Sequence, residues 1–156
     1  MSNMQEQVTH WLIELGQLHG ESFKLDEEHQ LKLSSNQQTL LITAPPGSEQ
    51  LYLTVILCDL PASNQKATYE LALGLNLYQE KTRGAAIAVD SQANAFVLSY
   101  CTETAHLSFN DFNNIINNLL ETSEGVAVQL QSAPDSALTD GSQFPPGLDM
   151  GLALKP

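Results

Sequence analysis

Basic residues are scarce in this chain. Lys and Arg total 6 against 18 Asp and Glu in 156 residues, a formal net charge of -12. A chain this acidic repels phosphate backbones, which argues against nucleic acid as a partner. It repels anionic membrane surfaces for the same reason. No apolar run is long enough to span a bilayer, so no membrane role is expected. The opening M-S-N-M-Q-E-Q lacks the basic start and apolar stretch of a signal peptide, and a cytoplasmic location is expected. There are only two cysteines, Cys58 and Cys101, each inside an apolar run. Disulfides are rare in the cytosol, so both are expected to be buried free thiols.

Catalytic signatures are missing as well. The chain has no G-x-S-x-G, no Walker A motif and no G-x-G-x-x-G. His10, His19, His29 and His106 are scattered, with no metal-type spacing to each other or to a cysteine. Asp26, Glu27 and Glu28 read as a solvated turn between strands, not as an acid–base or Ca²⁺ cluster. Asp59 and Asp90 each close an apolar strand. Asn113, Asn114, Asn117 and Asn118 form the polar face of a helix. No nucleophile, base and orienting group assemble from these residues. No catalytic residue, cofactor or metal is expected, and a binding protein is favoured over an enzyme.

What is present is a regular succession of apolar patterns. A helix is expected over residues 3–18, where Met4, Val8, Trp11, Leu12 and Leu15 form one stripe. Gly16 and Gly20 mark its end. Phe23 and Leu25 alternate, E-E-H-Q turns, and Leu31 and Leu33 alternate again, as one bent strand or a short hairpin. Residues 39–44 read as the next strand, and P-P-G-S at 45–48 as a turn. Residues 51–60 form the strongest strand, apolar on both faces. Pro61 stops it, and Ser63 or Asn64 is placed to cap a helix.

That helix carries the most telling pattern, A-T-Y-E-L-A-L-G-L-N-L-Y at residues 67–78. One apolar set is Ala67, Leu71, Leu75 and Tyr78; a second is Tyr69, Ala72, Leu73 and Leu77. A helix apolar nearly all round is buried on both sides. One side is expected on the protein's own sheet and the other on a second copy, which points to an obligate homodimer. The expected dimer face is Leu71, Leu75 and Tyr78, with Ile87 or Val89 of the next strand nearby. The set with Tyr69 and Leu73 is the other choice. The helix is expected to end within residues 81–84, with two cations in its last turn.

Residues 85–90 and 95–101 read as an antiparallel hairpin around S-Q-A-N. Ser108 and Asp111 then resemble a capping box, with Leu107 placed to staple onto Phe112. Phe112, Ile115, Ile116, Leu119 and Leu120 form the stripe of the last helix. It ends at Gly125 or runs on through V-A-V-Q-L. From about residue 131 Pro, Gly, Ser and Asp dominate, the composition of a disordered acidic tail. The expected order is α-β-β-β-α-β-β-α, an α+β domain over residues 1–130 with an antiparallel sheet, followed by a tail over residues 131–156.

In this order the motifs resemble the class I chaperones of bacterial type III secretion, the Tir-chaperone family. L-I-E-L-G-Q-L-H-G is similar to the family's opening helix. F-K-L-D-E-E-H-Q-L-K-L resembles its first strand region, although His29-Gln30 stands where the family often has glycine. L-Y-L-T-V-I-L-C-D-L-P resembles its third strand and proline stop. L-A-L-G-L-N-L-Y is similar to the dimer helix, with Asn76 at the family's asparagine. T-R-G-A-A-I-A-V-D and F-V-L-S-Y resemble the following hairpin. The resemblance covers about residues 8–130; the acidic, proline-rich tail departs from it.

The resemblance implies a homodimer that binds a segment near the N-terminus of a secreted effector and delivers it to the secretion apparatus, without nucleotide. The segment would wrap around the dimer in extended form. Apolar grooves would take its side chains, and an exposed strand edge would add an effector strand. Negative charge would keep such a surface soluble. The expected cargo groove joins the first helix to the first strands: Val8, Leu12, Phe23, Leu25, Leu31 and Leu33. The other expectation is a dimeric adaptor or regulator of the same fold without a secreted cargo.

Overall fold

The structure, a computed structural model, describes residues 3–136. Helix α1 spans Asn3–His19, and strands β1 Gln30–Ser35, β2 Gln38–Thr43 and β3 Gln50–Asp59 follow. Helix α2, Gln65–Asn76, leads through a 3₁₀ turn at Leu77–Gln79 to β4 Ala86–Asp90 and β5 Ala95–Glu103. Helix α3, Phe109–Ser136, closes the order. The α+β class, the antiparallel sheet and the sequence of elements are those expected.

The five strands lie in the order β1-β2-β3-β5-β4, every neighbouring pair antiparallel. The hairpin between β1 and β2 turns at Asn36 and Gln37, both at positive φ (48° and 67°). That is the geometry that matches strand twist in a two-residue loop. The register aligns one apolar residue from each strand, Leu33, Leu40, Val55, Leu98 and Ile87, across the whole sheet. A second row runs Leu31, Ile42, Leu53 and Tyr100. Side chains of β3 alternate faces, so Leu51, Leu53 and Val55 are buried while Tyr52 and Ile56 are exposed.

Helix α3 packs across β3 and touches β5; α2 packs on α3 and β4, and α1 on α3. The α1 stripe of Met4, Val8, Trp11, Leu12 and Leu15 is buried, and Trp11 stacks on Phe112 with ring centroids 5.1 Å apart. Gly16 is required by close approach: a Cβ there would sit 2.5 Å from the Glu21 carbonyl oxygen. The Glu21 amide donates to Gly16 O at 2.8 Å, and the chain turns back along the helix end.

Several local expectations are corrected. Residues 21–26 form no regular secondary structure and pair with no strand, so the first strand is β1 alone. Asn64 stands at the N-cap of α2 in a left-handed conformation and makes no side-chain cap. The α-helix stops at Asn76, not at residues 81–84, and no cation lies in its last turn. Leu77 is already extended (φ −65°, ψ 123°), and Tyr78 (φ 62°) and Gln79 (φ 53°) follow it at positive φ. Cys101 is exposed, not buried, because it falls on the outer face of β5; its thiol donates to Gln50 Oε1 at 2.9 Å. Cys58 is half-buried, and burial, then the Asp59 charge, pushes its thiol above its ordinary pKa.

At the start of α3 the capping box forms. The Asp111 amide donates to Ser108 Oγ, while the Ser108 amide and hydroxyl donate to the Asp111 carboxylate at 2.8 and 2.7 Å. Gly125 does not end the helix, which runs through to Ser136. Val126 and Leu130 are buried and hold that last stretch. The helix thus passes the boundary expected at residue 130; the rest of the expected tail, residues 137–156, lies outside the described residues.

Candidate functional site

Two of the carboxylates that could suggest chemistry are spent on turns. Asp26 Oδ1 accepts the amides of Glu28 and Gln30, and Asp90 Oδ1 accepts those of Gln92 and Ala93. Among the described residues no three His, Cys, Asp or Glu gather where they could hold a metal ion. His10 lies 3.3 Å from Glu14 one turn along α1, and His29 Nδ1 meets the Gln5 amide at 3.1 Å. The surface features that remain are apolar.

The first is the outer side of α2. Leu73 is 69% exposed, Leu77 63% and Tyr78 89%. Lys66 and Glu70, 3.7 Å apart, continue the same stripe toward the helix start. Val89 of β4 is also exposed. The inner side carries Thr68 and Ala72, both buried, with Leu71 and Leu75 half-buried on the core and Tyr69 set edge-on to Phe96 at 5.5 Å. The two sets read from the sequence are therefore each split. Of the five expected dimer residues, Tyr78 and Val89 face solvent. Leu71, Leu75 and Ile87 pack on the monomer's own core. Leu73 and Leu77 of the second set complete the exposed patch. The physical reason is rotation: exposed residues 66, 70, 73 and 77 follow the helical repeat, and Leu71 and Leu75 fall outside it.

The second feature is the start of the sheet. Phe23, Leu25, Leu31 and Leu33 are all half-buried and rest on the core. Leu31 and Leu33 end the two apolar rows at the edge strand, with no further strand beside them among the described residues. Lys32 between them is exposed. Val8 and Leu12 do not join this surface; each is 0% exposed, inside the core. The alternating pattern of the strand puts Leu31 and Leu33 on one face and Lys32 on the other. The stripe of α1 could not say which of its members reach the rim. Leu18, three residues beyond Leu15, and Ile13 on the opposite side are the exposed apolar residues of α1.

This acidic α+β frame, with one apolar patch on its middle helix and another beside its first strand, matches a family model. The model is that of the Tir chaperone protein (CesT) family, and it covers residues 10–127. The chain belongs to that family. Solved structures agree on the fold. The ExsC–ExsE complex matches with a TM-score of 0.73 at 19% identity, over 83% of this chain and 97% of that one. The HopA1–SchA chaperone–effector complex gives 0.64 at 16% identity, over 80% and 96%. The Yersinia pestis type III secretion chaperone SycH, in complex with a fragment of YscM2, gives 0.56 at 17%, over 78% and 98%. No curated protein sequence matches the chain. Among the described residues no helix is long and apolar enough to cross a membrane.

Proposed function

We propose that this chain is a type III secretion chaperone that binds, as a homodimer, a segment near the N-terminus of a secreted effector. It keeps that effector soluble and competent for secretion, and hands it to the secretion apparatus from the cytoplasm. It is not an enzyme and uses no cofactor. The observation that carries this reading is the family match over residues 10–127. The apolar surfaces support it. Leu73, Leu77, Tyr78 and Val89 make a patch suited to a second copy of α2 and β4. Phe23, Leu25, Leu31 and Leu33 offer sockets for alternate side chains of an extended segment, and the free edge of β1 offers its backbone groups.

A second reading is a dimeric adaptor or regulator of the same fold without a secreted cargo. It is favoured by the likeness to Escherichia coli YbjN, described as a putative transcription regulator, with a TM-score of 0.55 at 14% identity. One experiment separates the two. The tagged chain is captured from cells with an active type III system, and co-purifying proteins are identified and checked in the culture medium. A co-purified protein that is exported only when this chain is present supports the chaperone. A partner that is never exported supports the adaptor.

A further inference from the structure

Asp26 closes one end of the β1 edge. Its amide donates to the Gln30 carbonyl at 2.8 Å, and its Oδ1 accepts the Gln30 amide at 2.8 Å. Gln30 therefore turns both backbone groups away from β2. Backbone groups alternate sides along a strand of an antiparallel ladder, so Lys32 and Ser34 turn theirs the same way. Among the described residues no strand lies on that side. Leu31 and Leu33, half-buried, end two apolar rows there, and Lys32 has no ion-pair partner among the described residues. An edge of this kind is open to one further strand.

The sequence holds a segment that fits it. Residues 148–154 read L-D-M-G-L-A-L, with Leu148, Met150, Leu152 and Leu154 apolar at every second position. That period belongs to a strand with one apolar face. It matches the β1 edge and not the helical spacing of Leu73 and Leu77. The chain is long enough to bring it there. Gln38 Nε2 donates to Leu120 O at 2.9 Å and to Ser123 Oγ at 2.7 Å. Gln38 also pairs with Ser35, so this part of α3 stands beside the hairpin end of β1. From Ser123 the helix runs on for about 20 Å to Ser136. Residues 137–147 then span up to about 36 Å, enough to return.

We propose that residues 148–150 of this chain's own C-terminal segment add to β1 as a further antiparallel strand. Leu148 extends the row of Leu33, and Met150 extends that of Leu31. Asp149 then stands opposite Lys32 on the other face, a cross-strand charge pair. Gly151 comes opposite Gln30, where Asp26 already fills the edge and ends the ladder. This docking belongs to the free chain and does not require a cargo. Its consequence rests on the chaperone reading: the segment occupies the expected cargo edge as a tethered competitor.

Amide hydrogen exchange of the full chain, followed residue by residue by NMR, tests the docking. The Lys32 and Ser34 amides are expected to be protected in the wild type. In Leu148→Asp and Met150→Asp they are expected to exchange at least about tenfold faster, with the amides of Leu53 and Val55 in the sheet centre unchanged. Met150→Leu is expected to keep the protection. Asp149→Lys is expected to lose part of it, and to regain it when combined with Lys32→Glu. Free exchange at Lys32 and Ser34 in the wild type overturns the proposal; Lys32 alone then guards a bare edge. Protection that survives both aspartate variants also overturns it, and assigns the edge to another occupant such as a second copy of β1. Cargo is read separately, in the capture from secreting cells. Met150→Asp is expected to recover more of the exported partner than the wild type does. Faster exchange without that gain supports the docking and places the cargo site elsewhere.

Discussion

The side chain of Asn76 and the backbone of Ile87 form a closed two-bond pair. Asn76 Nδ2 donates to the Ile87 carbonyl at 3.0 Å, and the Ile87 amide donates to Asn76 Oδ1 at 2.7 Å. The pair mimics a strand partner on the open edge of β4, the last strand of the sheet. It also fixes the end of α2 against the sheet, and so sets where Leu73, Leu77 and Tyr78 emerge.

Asn76→Leu is expected to cost about 1–3 kcal/mol in urea unfolding, because it leaves two backbone groups of Ile87 unpaired. Asn76→Asp keeps the acceptor, loses the donor and is expected to fall between the two. Equal stability of Asn76→Leu and wild type would show that the pair contributes nothing.

Gly16→Ala is expected to destabilise the domain by about 1–3 kcal/mol, the usual cost of forcing atoms into a filled site. The new Cβ would meet backbone, the Glu21 carbonyl, which has no rotamer to yield. Gly74→Ala is the control. Open space surrounds Gly74 in α2, and alanine favours helix there. A melt in which both variants behave alike would remove the close approach as the reason for glycine at position 16.

The architecture was legible because each of its elements carries its own period. The α1 stripe, the alternation of Leu31 and Leu33 in β1 and the Ser108–Asp111 box all depend on residues a few positions apart, and all three form. The failures are of another kind. Asn76 ends α2 by reaching Ile87 across eleven residues, a partner no local pattern reveals. Both sets on α2 are periodic, so the sequence alone could not say which side the sheet would claim. Val8 and Leu12 obey the same stripe whether they meet core or groove; only the packing of α3 across the sheet buries them.

The capping box gives a pH signature. Hydrogen bonds from the Ser108 side chain, then from its backbone amide, hold the Asp111 carboxyl below its ordinary pKa. The unfolded chain therefore binds this proton more readily than the folded one. The stability from Asp111 is full above the unfolded aspartate value, about 3.9, and is lost as pH falls through the lower folded value. The stability gap between wild type and Asp111→Asn is expected to be constant near neutrality and to close in that acid window. Ser108→Ala is expected to lose about 1 kcal/mol at pH 7. A gap that widens on acidification would contradict the assignment.

The exposed side of α2 predicts how the dimer fails. Leu73→Asp and Leu77→Asp place charge on residues that face solvent in the single chain. Both are expected to fold normally and to run as monomers by light scattering at micromolar concentration, where the wild type is expected to run as a dimer. Leu75→Asp is expected to unfold the chain instead, since Leu75 rests on the core and an unpaired charge there costs several kcal/mol. A wild type that is monomeric at that concentration would end the dimer proposal. A dimer that survives both exposed substitutions would move its interface elsewhere.

The cargo surface is tested by contrasting residues of one pattern. Val8 and Leu12 are fully buried, so Val8→Asp and Leu12→Asp are expected to abolish folding. Leu31 and Leu33 are half-buried at the edge of the sheet, where a carboxylate can turn toward water. Leu31→Asp and Leu33→Asp are therefore expected to keep the circular dichroism spectrum and the dimer, at a cost of about 1–3 kcal/mol in stability. They are expected to lose cargo in a pull-down, because a charge in an apolar socket has no partner on an incoming apolar side chain. Lys32 is exposed between them and points to the other face of β1, so Lys32→Glu is expected to retain both fold and cargo. If Leu31→Asp and Leu33→Asp stay folded and still capture the effector, the groove beside β1 is not the cargo site. Ile13 and Leu18, the exposed apolar residues of α1, would then be the next to change.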